Sequence, residues 1–298
     1  MTTDIKFPPA PPITDEDWPA CHASGDYCPI LFEWYKFIGA ACAFIAHIQA
    51  DSPAVGRCNS VHYAILIGLL NRCARLMLSN ISLSHEGRFG ETTAIVDRCI
   101  FESCVKVSWL CKDQGNGERF ARYIADGLQS ELELMQSIDR AVSSRGGVLA
   151  IEKRMLDSIG THIRRSGLTE TEISDARKLP SLAAMLEEIG QDRLLYVVGQ
   201  RLGSHHVHGT WSSLLLHYLD HDDSGLFRPR GHDCSTHVNQ YMLVPLLVLN
   251  AMTSFVEFVI ADEDDRLPLV QLFDSIREEL ERIFKVVSAG DDDLVGEA

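Results

Sequence analysis

From residue 60 onward the apolar residues of this chain recur at steps of three and four, and no stretch sustains the alternation of a strand. Val61, Ile65, Leu69, Arg72, Leu76 and Asn80 share one helical face, predicting a helix over 60–84. The same spacing predicts helices over 30–49, 92–112, 118–143, 148–165, 182–189, 194–219, 236–261 and 267–287. Phe120, Ile124, Leu128, Leu132 and Met135 line one side of the fourth of these nine. Gly87 and Gly90, the run 113–117 and Arg145-Gly-Gly147 break the chain between helices, and Pro180 and the segment 227–232 read as further interruptions. Thr169, with Glu172 three residues on, caps a short helix starting at Glu170. The expected fold class is all-α: an antiparallel helical bundle with additional helices and short disordered or extended tails. An extended arm rich in proline and acid takes residues 1–27, one helical domain 28–288, and an acidic tail 289–298.

A chain of 298 residues with 46% apolar content can bury a large core. Its formal charge of −15 is concentrated at the ends, twelve acids facing four bases between residues 261 and 298. Acidic ends disfavour non-specific binding of polyanions while leaving room for a locally basic pocket. Asp262-Glu-Asp-Asp265 and Asp291-Asp-Asp293 read as solvated tails or a helix cap. Nine cysteines are scattered without a C-x-x-C pair, and five of them (Cys42, Cys73, Cys99, Cys104 and Cys111) lie in apolar helical contexts. That usage fits a reducing cytosol, as does an N-terminus without an apolar signal segment. Residues 241–260 are long enough to span a bilayer, which takes about 20 residues. They contain Pro245, Asn250 and Glu257, and an acid run follows, so a buried central helix is expected and no membrane partner.

Chemistry concentrates late in the chain. Seven of the twelve histidines fall between His205 and His237. Histidine changes charge near neutral pH and is a common metal ligand, so the crowding marks a chemical site or a polar helix junction. Arg98 and Glu102, four apart, share one face of an otherwise apolar helix, and Arg72 is a lone cation in another. Charges in such places are costly unless paired. Arg98 and Glu102 read either as a structural ion pair or as an anchor for phosphate and a carboxylate that orients a histidine or a water.

Three stretches resemble a bacterial all-helical family of unknown function: Ile65-Leu-Ile-Gly-Leu-Leu-Asn-Arg72, Asp97-Arg-Cys-Ile-Phe-Glu102, and Gln200-Arg-Leu-Gly-Ser-His-His-Val-His-Gly209. The recurrent features are an R-x-x-x-E helix and a later S-x-x-x-H-G motif. The resemblance spans roughly residues 60–215 and implies Arg98, Glu102, Ser204 and His208 as the family's positions, with Arg72 beside them. Gly203 stands where the family carries a larger apolar residue. Arg201, followed after four and six residues by His206 and His208, also resembles the R-x(4–6)-H motif of HEPN ribonucleases, although Leu202 stands where that motif has a polar residue. That resemblance implies an Arg and a His clasping a scissile phosphate without metal, the 2′-hydroxyl being the nucleophile.

His217 and His221, at i and i+4, could reach one ion from a helix, with Asp222, His232, Asp233, Cys234 and His237 nearby. The His-Asp pairs at 221–222 and 232–233 resemble those of helical HD phosphohydrolases. Neither a G-x-S-x-G elbow nor a phosphate-binding P-loop occurs.

The leading expectation is a HEPN-like RNA-cleaving or nucleotide-binding protein, in defence or stress, cytoplasmic and without cofactor or bound metal. His208 or His206 would be the acid and base, Arg201 or Arg98 the phosphate anchor, Glu102 the orienting carboxylate, and Arg72 and Ser204 substrate contacts. The competing expectations are a non-enzymatic helical interaction module, as a homodimer for example, and a metal-dependent phosphohydrolase centred on His217 and His221.

Overall fold

The computed structural model describes residues 6–56, 58–84, 89–113, 115–222, 224–231 and 240–295, with backbone alone for 200–202 and 288–295. Twelve helices and one two-stranded hairpin follow in order among these residues. They are α1 (Asp17–Ser24), α2 (Cys28–Ile45), α3 (Ser60–Leu83), α4 (Gly90–Cys111), α5 (Glu118–Arg145), α6 (Ala150–Ser166), α7 (Glu170–Asp175), α8 (Leu182–Glu188), α9 (Arg193–Val207), α10 (Trp211–His217), β1 (Leu219–His221), β2 (Phe227–Pro229), α11 (Gln240–Val259) and α12 (Glu263–Val295). The fold is all-α, as the spacing requires. The chain groups into two compact units, one drawn from the chain up to Cys111 and from Met185 onward, the other from Lys112–Ala184.

In the larger unit α4 is the hub, packed by α3, α9 and α11. Paired contacts give the directions. Arg72 meets Cys99 and Ser103 while Asn80 meets Asp97, so α3 and α4 are antiparallel. Thr93 meets Gln240 and Ser108 meets Ser254, so α4 and α11 run parallel. Asn250 accepts from Arg277, and the Ile260 carbonyl from Arg266, which sets α12 antiparallel to α11. Trp109, Tyr35, Phe101, Phe255 and Phe273 are fully buried and fill the core. Removing rings of this size from water is the largest favourable term in such a fold.

The smaller unit is built on α5, packed by α6 and α7. The carboxylate of Asp113 accepts from the backbone N–H groups of Gly115, Gly117 and Arg119, closing the turn that starts α5. Leu128 and Leu132 of α5 bury against Ile173, flanked by Ile124 and Met135. Thr169 and Glu172 form the expected cap, the Thr169 hydroxyl accepting from the Glu172 N–H and the Glu172 carboxylate from the Thr169 N–H.

Several boundaries differ from the periodicity. Within the expected N-terminal arm, Asp17–Ser24 is helical; Trp18 lies under the guanidinium of Arg282 at 4.8 Å, and Phe7 sets its ring edge-on to Phe37 and Phe44. The helix expected over 194–219 is two, because the chain turns at Gly209, whose φ of +54° favours a residue without Cβ. The expected loop 227–232 begins with β2, paired antiparallel to β1. Helices α2, α3 and α11 are each long and apolar enough to cross a membrane, by length and composition only. In this fold they pack on one another, and the exposed side of α3 carries Asn71, Arg72 and Arg75.

One buried group sits under electrostatic stress. Asn80 donates through Nδ2 to the Tyr35 hydroxyl at 3.1 Å and to Oδ1 of Asp97 at 2.5 Å. Asn80 Oδ1 and Asp97 Oδ2 are both buried acceptors without a partner among the described residues. A proton on Asp97 turns one orphan acceptor into a donor, and burial pushes the Asp97 carboxyl well above its ordinary range. Because the folded-state pKa is raised, the contribution of Asp97 is favourable below the unfolded pKa and is lost as pH rises through the folded one. The neutral isostere Asp97→Asn is therefore expected to raise the melting temperature at pH 8 by roughly 3 °C, about 1 kcal/mol. The gain should shrink towards pH 4. Calorimetry across that range checks it, and a gain independent of pH would contradict the assignment.

Candidate functional site at the corner of α4, α9 and α10

Two glycines allow α9 to lie on α4. A Cβ at Gly199 would stand 2.7 Å from the Phe101 ring. At Gly203 it would stand 2.5 Å from the Cβ of Arg98 and 3.1 Å from the Ala94 carbonyl. The contacts run antiparallel, Gly199 against Phe101 and Gly203 against Arg98 and Ala94. Gly203 is thus the tighter of the two contacts.

Beneath Gly203, Arg98 pairs with Glu102 on its own helix at 3.1 Å, their side chains 17% and 28% exposed. The Arg98 Nε is buried and has no partner among the described residues. A guanidinium has five N–H donors in a fixed fork, so the ion pair leaves donor capacity beside α9.

One turn beyond Gly203, His206 is half-buried. Its Nδ1 lies 3.0 Å from the Ser213 hydroxyl, which α10 delivers and which is only 1% exposed. The His217 ring, at the other end of α10, meets that of His206 edge-on with centroids 4.8 Å apart. Glu91, in the first turn of α4 and 6% exposed, is close enough for its charge to act on both rings. Burial is the largest influence and lowers both histidines below their ordinary value. Their neighbours lower them further, His217 and His205 acting on His206 and Arg230 on His217, and Glu91 offsets this in part. Two imidazoles in contact, each harder to protonate than in water, thus stand side by side at this corner.

The remaining candidates are placed as follows. His208 caps the C-terminus of α9 and is exposed, its backbone N–H bonded to the Ser204 carbonyl, and Ser204 is half-buried. His205 Nδ1 lies 3.0 Å from the Thr210 hydroxyl. Arg72 is committed to the α3–α4 contact, donating to the Cys99 carbonyl and the Ser103 hydroxyl. The side chain of Arg201 lies outside the described residues, as do His232, Asp233, Cys234 and His237.

The helical pairing expected of His217 and His221 is corrected. Helix α10 ends at His217, and His221 is on β1 with its ring against Phe227 at 5.0 Å. Asp222 is a turn residue: it accepts from Ser224, Leu226 and Arg228, and these bonds hold its carboxyl below the ordinary range. Among the described residues no group of three or more His, Cys, Asp or Glu is placed to hold a metal ion. Glu91, Ser213 and His217 were not foreseen as partners of His206. The juxtaposition depends on the break at Gly209, which no local spacing announces.

Residues 63–226 match the model of a family of unknown function, DUF5677. The chain belongs to this family. The resemblance read from the R-x-x-x-E helix and the S-x-x-x-H-G motif is thereby shown, whereas nothing in the comparisons bears on the HEPN motif. No curated protein and no solved structure matches the chain. The family segment contains Glu91, Arg98, Glu102, His206, Ser213 and His217, so the whole corner belongs to the family's own part of the fold, while α2, α11 and α12 lie outside it.

Glycine at the seam carries a testable cost. In a helix Gly→Ala gains about 1 kcal/mol of propensity. Overpacking a filled contact costs about 1–3 kcal/mol. Gly203→Ala and Gly199→Ala are expected to lower stability in denaturant titration. Gly68→Ala, on the exposed side of α3 with nothing within 4 Å, should raise it.

Proposed function

We propose that the protein binds a phosphodiester of RNA or a nucleotide at the corner of α4, α9 and α10, and cleaves RNA there without metal. The observation that carries this reading is the half-buried His206–His217 pair, bonded to Ser213 and within the electrostatic reach of Glu91, on the helix whose Gly203 packs against Arg98. One imidazole takes the proton of the ribose 2′-hydroxyl, whose oxygen attacks the adjacent phosphorus. The other, protonated, gives its proton to the departing 5′-oxygen. The products are a 2′,3′-cyclic phosphate and a 5′-hydroxyl, and the pair has exchanged its proton between rings. Arg98 supplies charge opposite the phosphorane, and Glu102 holds its guanidinium. His208, exposed at the end of α9, is the substitute acid or base if the strand lies further out, with Ser204 beside it.

Support for a cytosolic setting is compositional. The eight described cysteines are free, and Arg72 and Arg75 on the exposed side of α3 would be costly in lipid. The competing reading, a non-enzymatic interaction module, draws on the exposed apolar residues of α10.

The relay requires one protonated and one neutral ring. Both pKa values lie below the ordinary 6.5, so the singly protonated pair is most populated on the acid side of that value. The rate is therefore expected to follow a bell whose maximum lies below pH 6.5, falling above it as both rings lose their proton and below it as both gain one. Purified protein, His206→Ala and His208→Ala should be incubated with mixed cellular RNA, with and without a chelator. Cleavage should survive chelation and fall at least about 100-fold in His206→Ala. Cleavage abolished by the chelator, or absent from folded protein, would overturn the reading.

A further inference from the structure

Beside the histidine pair the chain exposes rings that a core would ordinarily bury. Trp211 is 58% exposed, Phe227 49% and Tyr218 38%. Trp211 and Leu215 share one face of α10 at i and i+4, and Tyr218 is the residue that caps its C-terminus. Trp211 and Phe227 meet edge-to-face with centroids 5.6 Å apart, a contact that takes one face of one ring and leaves both side chains about half exposed. The His221 ring lies 5.0 Å from Phe227, and the Tyr218 ring lies 6.4 Å from His217 and so adjoins the pair assigned to catalysis.

The hairpin sorts its charges. Leu219 pairs with Pro229 and His221 with Phe227, while Asp220 pairs with Arg228 between them. Side chains alternate along a strand, so Leu219, His221, Phe227 and Pro229 share one face and Asp220 and Arg228 the other. Asp220 and Asp222 are occupied by Arg230 and Arg228. In a chain of formal charge −15 the ring-bearing face of the hairpin, made of Leu219, His221, Phe227 and Pro229, therefore carries no carboxylate among the described residues. An anionic ligand with aromatic faces meets both conditions.

We propose that α10 and the β1–β2 hairpin form a stacking platform for unpaired bases of single-stranded RNA, Trp211 and Phe227 taking the bases and the backbone leading towards His206 and His217. This rests on the function proposed above. Stacking on aromatic side chains is how proteins grip single strands without reading sequence, whereas a duplex keeps its base faces covered. A second copy of the chain, or an apolar protein partner, is the competing occupant.

The test uses the full chain and a fluorescein-labelled 2′-O-methyl oligouridine of about twelve nucleotides, whose blocked 2′-oxygen prevents cleavage, alongside a duplex of equal length. Anisotropy is expected to show the single strand bound at least about tenfold more tightly than the duplex. Trp211→Ala and Phe227→Ala should each weaken it about tenfold, and Trp211→Phe should restore most of the loss, since a ring remains. Trp211 is largely exposed, so its removal leaves the core intact, which circular dichroism verifies. Unchanged affinity in both alanine variants, equal binding of strand and duplex, or no binding by the wild type overturns the platform. So does a wild-type dimer in gel filtration that Trp211→Ala converts to monomer. Cleavage of unmodified RNA is read separately: cleavage without ring-dependent binding sinks the platform and leaves the histidine pair standing. Ring-dependent binding without cleavage does the reverse.

Discussion

The close approach of α9 to α4 is the contact on which the candidate site depends. Two glycines spaced one helical turn apart remove the side chains that would hold the helices at ordinary separation, and Arg98 and Phe101 fill the space. The approach sets the height at which His206 comes under the charge of Glu91 and meets Ser213 as α10 turns back. A larger residue at Gly203 would push α9 off Arg98 and open the corner to water, restoring the histidines to ordinary solvation.

Helix α4 achieves this by carrying polar groups on several faces, each matched by a partner. Thr93 meets Gln240, Asp97 meets Asn80, Ser103 meets Arg72 and Trp109 donates to Glu188. Apolar surface alone fixes burial but permits sliding, since neighbouring registers bury similar area. Directional bonds at several heights penalise any slide, because a buried polar group that loses its partner costs about 1–3 kcal/mol. The register of this apolar bundle therefore rests on a minority of polar residues.

The electrostatics of the corner follow from the same geometry. An exposed histidine titrates near its ordinary value, as solvent stabilises the imidazolium. His206 and His217 are half removed from water and face each other, so charging either one is opposed by lost hydration and charging both by repulsion. Glu91 limits the effect. The lowered basicity of this pair thus arises from burial and proximity, with residue types that recur elsewhere in the chain.

Much of the architecture was legible in the sequence because helical spacing is a local property. The 3.6-residue repeat, the Arg145-Gly-Gly147 break, the Thr169–Glu172 cap and the apolar content of the helix over 241–260 each act within a few residues, and each fixed an element. The same locality marked Arg98 with Glu102 and the crowding of histidines. Two errors arose where local pattern met a turn: the single helix expected over 194–219 breaks at Gly209, and His217 and His221, one helical turn apart in sequence, are divided between α10 and β1. Only the tertiary structure decided that Gly203 sits on Arg98, that Arg72 serves the α3–α4 contact, and that Ser213 and His217 meet His206 within reach of the Glu91 charge. Those contacts join segments up to about 125 residues apart, and no short-range spacing encodes them; they exist because packing α9 between α4 and α10 leaves one arrangement that buries the apolar faces and satisfies the polar groups together.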